Sequence, residues 1–267
     1  MLRVVFLDVD GTLLSQTTRC VPPSARRAVQ RLRERGVRVV LATGRHPIEL
    51  DGADFSDMAF DGYATANGQM CLDGSRKLFA GNPIRSEAAR ALVEMFVRRE
   101  VLLWLFGEDT SYINVHNEEL LAMAAATSIY VPKVRGYDGM TVYQAVALVR
   151  EHADAMLAAR LPGCKLQRWA VDGVDIIAVD GGKVEGLKTF LDRFGCTREE
   201  CVAFGDQGND LDMLRFAGVG VAMGNGSDAV KAAADLVAPT VDEDGVARVL
   251  GELGLLGDGW EADILGA

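Results

Sequence analysis

The chain lacks any apolar run able to cross a bilayer. Its longest strongly apolar stretch, residues 101–106, falls far short of the roughly 20 residues a spanning helix needs. Residues 4–7 are apolar before Asp8 interrupts them, too short for the core of a signal peptide. Positive charge is also scarce. Against 38 Asp and Glu stand 28 Lys and Arg, a net charge of −10, so neither a nucleic acid nor a membrane is an expected partner. The densest basic stretch is Arg26, Arg27, Arg31, Arg33 and Arg35. On a helix, Ala25, Ala28, Val29 and Leu32 would take one face and the arginines the solvated remainder. Cysteine is sparse and unpatterned. The 5 cysteines are an odd number without a Cys-x-x-Cys, which excludes a disulfide frame or zinc site and points to reduced thiols in a cytoplasmic protein. Internal repeats and low-complexity tracts are absent as well.

What is present is ordinary for a globular protein: 267 residues, 49% hydrophobic and 25% charged. A chain of this mass buries about 70% of its surface on folding, enough for a full core without staples. The length fits one large domain or two unequal ones. The oligomeric state is not legible, a monomer being the simplest reading.

Two patterns divide the chain. Residues 3–7, 37–42, 202–204 and 219–222 are short Val-rich runs without polar alternation, as expected of parallel strands covered on both faces. Between them, helical periodicity marks residues 24–35, 186–194, 209–216, 227–234 and 242–253. The expected fold is therefore α/β, a doubly wound, Rossmann-like parallel sheet. The middle differs. Helices are predicted over 86–99, 118–127 and 152–161, with strands over 101–106, 112–115, 142–149, 165–169 and 174–179. Glu108-Asp109 and Asp172-Gly173 mark hairpin turns. This reads as an α+β module, residues 82–180, inserted into a core formed by 1–81 and 181–267. The Gly- and acid-rich tail, 255–267, carries no functional signal.

The chemistry-bearing residues gather where buried strands end. Asp8-Val9-Asp10-Gly11-Thr12 follows the first. Residues i and i+2 of an extended chain point the same way, so the two carboxylates emerge side by side, and Gly11 lets the chain turn away. Adjacent carboxylates repel, and a hard cation bound through oxygen relieves that repulsion. Taken alone the same residues would serve as a turn or helix cap, but open α/β sheets place ligands at this end of their strands. Thr43-Gly44-Arg45 follows the second run and offers a hydroxyl, an approachable backbone and a guanidinium, a set suited to an oxyanion. Gly205-Asp206-Gln207-Gly208-Asn209-Asp210 ends the third and opens a helix, where its oxygens could complete a cation shell or cap the helix. Gly181-Gly182-Lys183 stands where the inserted module returns, and a lysine there reaches the shared site as a point charge. Lys188 competes for that role but lies within the predicted helix.

These four segments in this order resemble the haloacid dehalogenase (HAD) superfamily of phosphotransferases, and within it the Cof-like sugar-phosphate phosphatases. Asp8 to Leu14 is similar to that family's first motif, Ala42-Thr43-Gly44-Arg45 to its second, Lys183-x-x-Gly186-Leu187 to its third, and Gly205-Asp206-x-x-Asn209-Asp210 to its fourth. Val221 to Asn225 and Asp242 to Val246 fit the same pattern. The resemblance implies a phosphatase with a substrate-selecting cap. Asp8 would attack phosphorus and Asp10 would act as general acid and base. Thr43, Gly44, Arg45 and Lys183 would bind the substrate phosphate. Mg²⁺ would be held by the Asp8 side chain, the Asp10 carbonyl and Asp206, with Asn209 and Asp210 orienting the groups behind them. A small phosphorylated metabolite, most naturally a sugar phosphate, is the implied substrate. A phosphomutase on the same fold is the alternative, and a phospho-acceptor signalling or binding protein a more remote one.

Within the module, the hairpin 165–179 leads directly into Lys183 and carries Arg168, Trp169 and Asp175. A guanidinium, an indole and a carboxylate suit the hydroxyls and C–H faces of a sugar. In the competing arrangement Trp169 is core, and Arg168 and Asp175 are a cross-strand surface pair.

Overall fold

The computed structural model describes residues 1–127 and 130–266. Strand β1, Val4–Leu7, has no solvent-facing residue, and its alternation splits the core in two. Val5 and Leu7 join Ala25, Ala28, Val29 and Leu32 of helix α1 (Pro23–Glu34) on one face of the sheet. Val4 and Phe6 join Leu187, Phe190, Met213 and Leu214 on the other. Each such fully buried side chain contributes about 1.5–3 kcal/mol relative to exposure, which is why a strand apolar at every position must lie between two helical layers.

The chain continues through β2 (Arg38–Ala42), β3 (Gly62–Thr65), β4 (Met70–Asp73) and β5 (Leu78–Gly81). It then leaves this sheet for helix α2 (Ser86–Arg98), strands β6 (Leu102–Phe106) and β7 (Ser111–Ile113), helix α3 (Glu118–Thr127) and strands β8 (Lys133–Val134) and β9 (Gln144–Leu148). Helix α4 (Asp154–Arg160) and the hairpin β10 (Cys164–Ala170) and β11 (Gly173–Ala178) complete the excursion. The return runs through α5 (Lys183–Phe194), β12 (Cys201–Gly205), α6 (Leu211–Phe216), β13 (Val219–Ala222), α7 (Asp228–Ala233), β14 (Leu236–Val237) and α8 (Gly245–Glu252).

Two sheets result. The first has the order β14-β13-β12-β1-β2-β3-β4-β5, parallel from β14 to β3 and antiparallel beyond. The second, β10-β11-β9-β6-β7-β8, is antiparallel except for the β7–β8 pair. The expected α/β architecture is present, as is an α+β sheet built from the middle of the chain.

Several details depart from the pattern reading, among them the two-residue strands β8 and β14, which no pattern marked. Strands β3, β4 and β5 extend the first sheet where no element was expected, because runs of four residues are too short to show a period. The predicted helix over 209–216 begins as a 3-10 turn at Gly208–Asp210 and becomes α-helical only from Leu211. The tail is structural. Trp260 lies against Gly251, buried Ile264 joins the α1–α8 side of the core, and Arg27 Nε donates to the Ile264 carbonyl at 3.0 Å. Only residue 267 of that tail lies outside the described residues.

Candidate active site

The carboxyl ends of three adjacent strands, β12, β1 and β2, carry Asp206, Asp8 and Thr43 respectively, so parallel pairing gathers residues far apart in sequence. The turn after β1 requires glycine. Gly11 has φ +86°, and a methyl there would lie 2.8 Å from Asp206 Cγ. Gly11→Ala is therefore expected to strain the turn and displace the Asp206 carboxylate. At least a tenfold loss of turnover is expected, measured by phosphate release. Unchanged turnover would mean that the Asp206 position is not critical.

Lys183, the first residue of α5, is 2% exposed, and its ammonium is clamped between two carboxylates. Nζ donates to Asp8 Oδ1 at 2.5 Å and to Asp210 Oδ1 at 2.6 Å. The other oxygen of Asp210 accepts the backbone N–H groups of Asp206 and Gln207, each at 2.9 Å, so both Asp210 oxygens are committed. Asp206 Oδ1 accepts the Thr12 hydroxyl at 3.2 Å, and its Oδ2 accepts Gln207 Nε2 at 3.1 Å. Lys188 is elsewhere, exposed and paired with Glu185 at 2.7 Å.

Asp8, Asp206 and Asp210 each offer an oxygen within 4.8 Å of the others, and all three are buried. Burial pushes Asp8 well above the usual carboxylate range; Lys183 pulls it back and the neighbouring carboxylates reinforce the rise. Burial, then the charge of Asp210, pushes Asp206 up to about 6. For Lys183 burial acts downward, but the Asp210 and Asp8 carboxylates outweigh it and hold the ammonium above its ordinary value. Three carboxylates and one ammonium leave a formal −3 + 1 = −2 when ionised. Oxygen donors so arranged fit a hard divalent cation.

The Asp10 side chain stands apart from this cluster. It forms a two-pronged pair with Arg45, Nε to Oδ2 at 2.8 Å and Nη2 to Oδ1 at 2.6 Å, at the more open edge of the site. Arg45 is thus turned to a carboxylate rather than standing alone as an oxyanion ligand. Beyond it, buried His46 places Nε2 2.9 Å from the Gly107 carbonyl in the turn between β6 and β7. Its Nδ1 accepts the Ile48 N–H, so Nε2 carries the proton, and burial lowers its pKa to about 4. Glu49, raised by burial to about 8, accepts the His46 backbone N–H at 2.6 Å.

The hairpin residues separate. Asp175, buried and raised by that burial to about 7, accepts Trp169 Nε1 at 2.9 Å and Asn67 Nδ2 at 2.7 Å. Asn67 Oδ1 in turn accepts Asn209 Nδ2 at 2.9 Å, which connects Asp175 and Trp169 to the Gly208–Asp210 turn. Arg168 does not join them. It is paired with Asp154 of α4, and its Nη1 donates to the carbonyls of Val149, Ala170 and Val171. The register explains the split. Asp175 faces Gln167 across the hairpin, whereas Arg168 pairs with Val174 and so points to the opposite face. Trp169, two residues from Gln167, shares the Asp175 face, and its Nε1 reaches back to Asp175. The competing Arg168–Asp175 cross-strand pair is therefore not formed, and Arg168 lies on the face of the hairpin opposite to Asp175.

Asn67 and Gln144 were not expected here, and Thr12, although within the first segment, carried no assigned role. Gln144 Oε1 accepts Asn67 Nδ2 at 3.0 Å and its Nε2 donates to the Gly44 carbonyl at 3.2 Å. The only sequence signal near Asn67 is the Asn67-Gly68 pair, which marks a turn rather than a site.

Comparison with known proteins agrees with this geometry. The sequence profile of the haloacid dehalogenase-like hydrolases matches residues 5–250. The chain is 31% identical to a 5-amino-6-(5-phospho-D-ribitylamino)uracil phosphatase of Bacillus subtilis, over 93% of this chain and 96% of that protein. It is 28% identical to a pyridoxal phosphate phosphatase of Escherichia coli, over 93% and 97%. A solved HAD subclass IIB sugar phosphatase superposes with a TM-score of 0.85 at 29% identity, covering 95% of this chain and 99% of that one. Among the described residues no helix is long and apolar enough to cross a membrane.

Proposed function

The chain belongs to the haloacid dehalogenase-like hydrolases, in their Cof-like subfamily, and from that premise we propose a Mg²⁺-dependent phosphatase of small phosphorylated metabolites, most naturally sugar phosphates. As in its relatives, the activity is phosphoric monoester hydrolysis. The observation that carries the finer reading is the buried Asp8–Lys183–Asp210 chain beside Asp206, at the carboxyl ends of adjacent parallel strands.

Asp8 attacks phosphorus as the ester oxygen leaves, and the phosphoryl group becomes bonded to its carboxylate. To act as general acid, Asp10 on the open edge exchanges one of its two Arg45 contacts for a proton from solvent; it then gives that proton to the departing oxygen and takes one from the water that cleaves the aspartyl-phosphate. Arg45 holds Asp10 by both oxygens and sets its direction. Thr43 and the Gly44–Arg45 backbone receive the phosphoryl oxygens from one side and Lys183 from the other, where transition-state charge spreads. Lys183 is held for that task by Asp210, whose second oxygen pins the Asp206 and Gln207 backbone.

Asp8 and Asp206, together with the Asp10 carbonyl, would hold Mg²⁺; Asp210, with both oxygens engaged, stands behind them. Bound there, the ion supplies charge neutralisation between a carboxylate nucleophile and an anionic substrate. Residues 82–180 act as a cap, presenting Gln144, Trp169 and Asp175 toward the organic part of the substrate. The B. subtilis relative acts on a phosphorylated ribityl compound and the solved neighbour on sugar phosphates, which supports a polyhydroxylated substrate.

The test is phosphate release across hexose, pentose, nucleotide and cofactor monophosphates with Mg²⁺, and again after removal of metal with EDTA. Turnover on sugar phosphates that vanishes with EDTA and returns with Mg²⁺ is expected. Full activity in excess chelator would refute the metal assignment, and phosphate relocation without release would indicate a mutase.

A further inference from the structure

Asn67 occupies a turn in which three successive residues are left-handed: Ala66 at φ +50°, Asn67 at +54° and Gly68 at +78°. Asparagine tolerates that backbone better than other non-glycine residues, so the position accommodates a carboxamide where most side chains would be strained. The turn is wedged against the start of α5. A methyl on Gly68 would come within 3.1 Å of both the Gly182 carbonyl carbon, just before Lys183, and the Gly186 nitrogen, one helical turn after it.

The Asn67 side chain is fully buried and fully used. Its oxygen takes Asn209 Nδ2, and its two N–H groups go to Asp175 Oδ2 on β11 and Gln144 Oε1 on β9. Gln144 then reaches the Gly44 carbonyl. One carboxamide thus joins the second sheet to the Gly208–Asp210 turn, and through Gln144 to the Thr43-Gly44 loop. If the second sheet lifted away, both Asn67 donors would lose their acceptors, while Asn209 would keep a partner free to reorient. Asn209 precedes Asp210, which holds Lys183 against Asp8.

We propose that Asn67 is a positioning residue through which seating of the second sheet aligns Asn209, Asp210 and Lys183 for phosphoryl transfer. The proposal rests on the phosphatase reading of the site. It gives that reading a device for coupling cap closure to catalysis: the Lys183 ammonium is best held when the cap is down. Substrate that lets the cap seat is the substrate that meets an ordered site.

The test uses the full chain with Mg²⁺ and para-nitrophenyl phosphate, with kcat and KM measured separately. Asn67→Gly keeps the left-handed backbone and removes the carboxamide. It is expected to lower kcat about 10–100-fold with KM changed less than about threefold. Asn67→Asp sets two carboxylates face to face and Asp175→Asn sets two amide N–H donors against each other with no acceptor between them, so each alone should also lose kcat. Together they exchange donor and acceptor across the 67–175 contact while the Gln144 contact stays lost, so the double variant should recover part of the loss and exceed the worse single in kcat, a non-additivity that general destabilisation does not produce. An active wild type with Asn67→Gly unchanged in kcat, or a double variant no better than the worse single, overturns the coupling alone. A wild type that releases no phosphate overturns the phosphatase reading and the coupling with it.

Discussion

Asp8→Asn is expected to lower kcat for phosphate release at least 10³-fold, about 4 kcal/mol of barrier, without loss of folded structure. The exchange preserves volume and leaves an oxygen that can still accept from Lys183 Nζ. It removes only the carboxylate that would bond to phosphorus. Stability should hold or rise, because one of three clustered buried carboxylates becomes neutral. Retention of activity within tenfold of wild type would be incompatible with Asp8 as the phosphoryl acceptor. A parallel loss of folding, read by thermal unfolding, would mean that the Asp8 charge is structural.

Lys183→Met is expected to damage both activity and stability. The ammonium is 2% exposed and is the sole cation hydrogen-bonded to Asp8 and Asp210 among the described residues. Its removal leaves three buried carboxylates facing one another, a cost of about 3–5 kcal/mol in unfolding free energy. The deficit should depend on pH. Asp206, raised to about 6, binds its proton more tightly folded than unfolded. Its favourable contribution is therefore present below its ordinary value near 4 and is lost as pH rises through 6. Asp8 is shifted in the same direction, and because the Lys183 charge lowers both groups, its removal raises them further, so the variant loses more stability than wild type as pH rises. The variant should accordingly be closer to wild type at pH 5 than at pH 8, which chemical denaturation at the two pH values would measure. Lys188→Ala, on the exposed face of α5, should change stability by less than about 0.5 kcal/mol and leave turnover intact. A Lys188→Ala variant that lost activity while Lys183→Met kept it would reverse the assignment of the two lysines.

The parallel core was legible because its strands are buried on both sides. Residues 4–7 and 39–42 are apolar throughout, and no other common setting in a soluble protein requires that of a short strand. The clustered residues were legible for a related reason: each follows such a strand directly, so topology delivers Asp8, Thr43 and Asp206 to one edge. The relay through Asn67 was not, since its partners Gln144, Asp175 and Asn209 lie 77, 108 and 142 residues away, two in the second sheet and one in the turn after β12. Local pattern carries no information at that range. Arg168 was misplaced for a subtler reason. The hairpin's existence could be read from Asp172-Gly173, but which face looks inward is decided by register, and a slip of one residue exchanges the faces. Asp10 and Arg45 lie beside the same strand ends, as their sequence positions suggest, yet their mutual pairing depends on side-chain geometry that a motif cannot express.

The central claim is that phosphate passes through a covalent bond to Asp8. The direct measurement is to mix the enzyme with excess para-nitrophenyl phosphate and Mg²⁺, quench in acid within the first turnovers, and locate any added phosphoryl group by peptide mass spectrometry. The account predicts a phosphoryl group on Asp8, lost on alkaline treatment as an acyl phosphate should be, and absent from Asp8→Asn. A turning-over enzyme that carried no phosphoryl group at early quench times, or carried it on another residue, would contradict it.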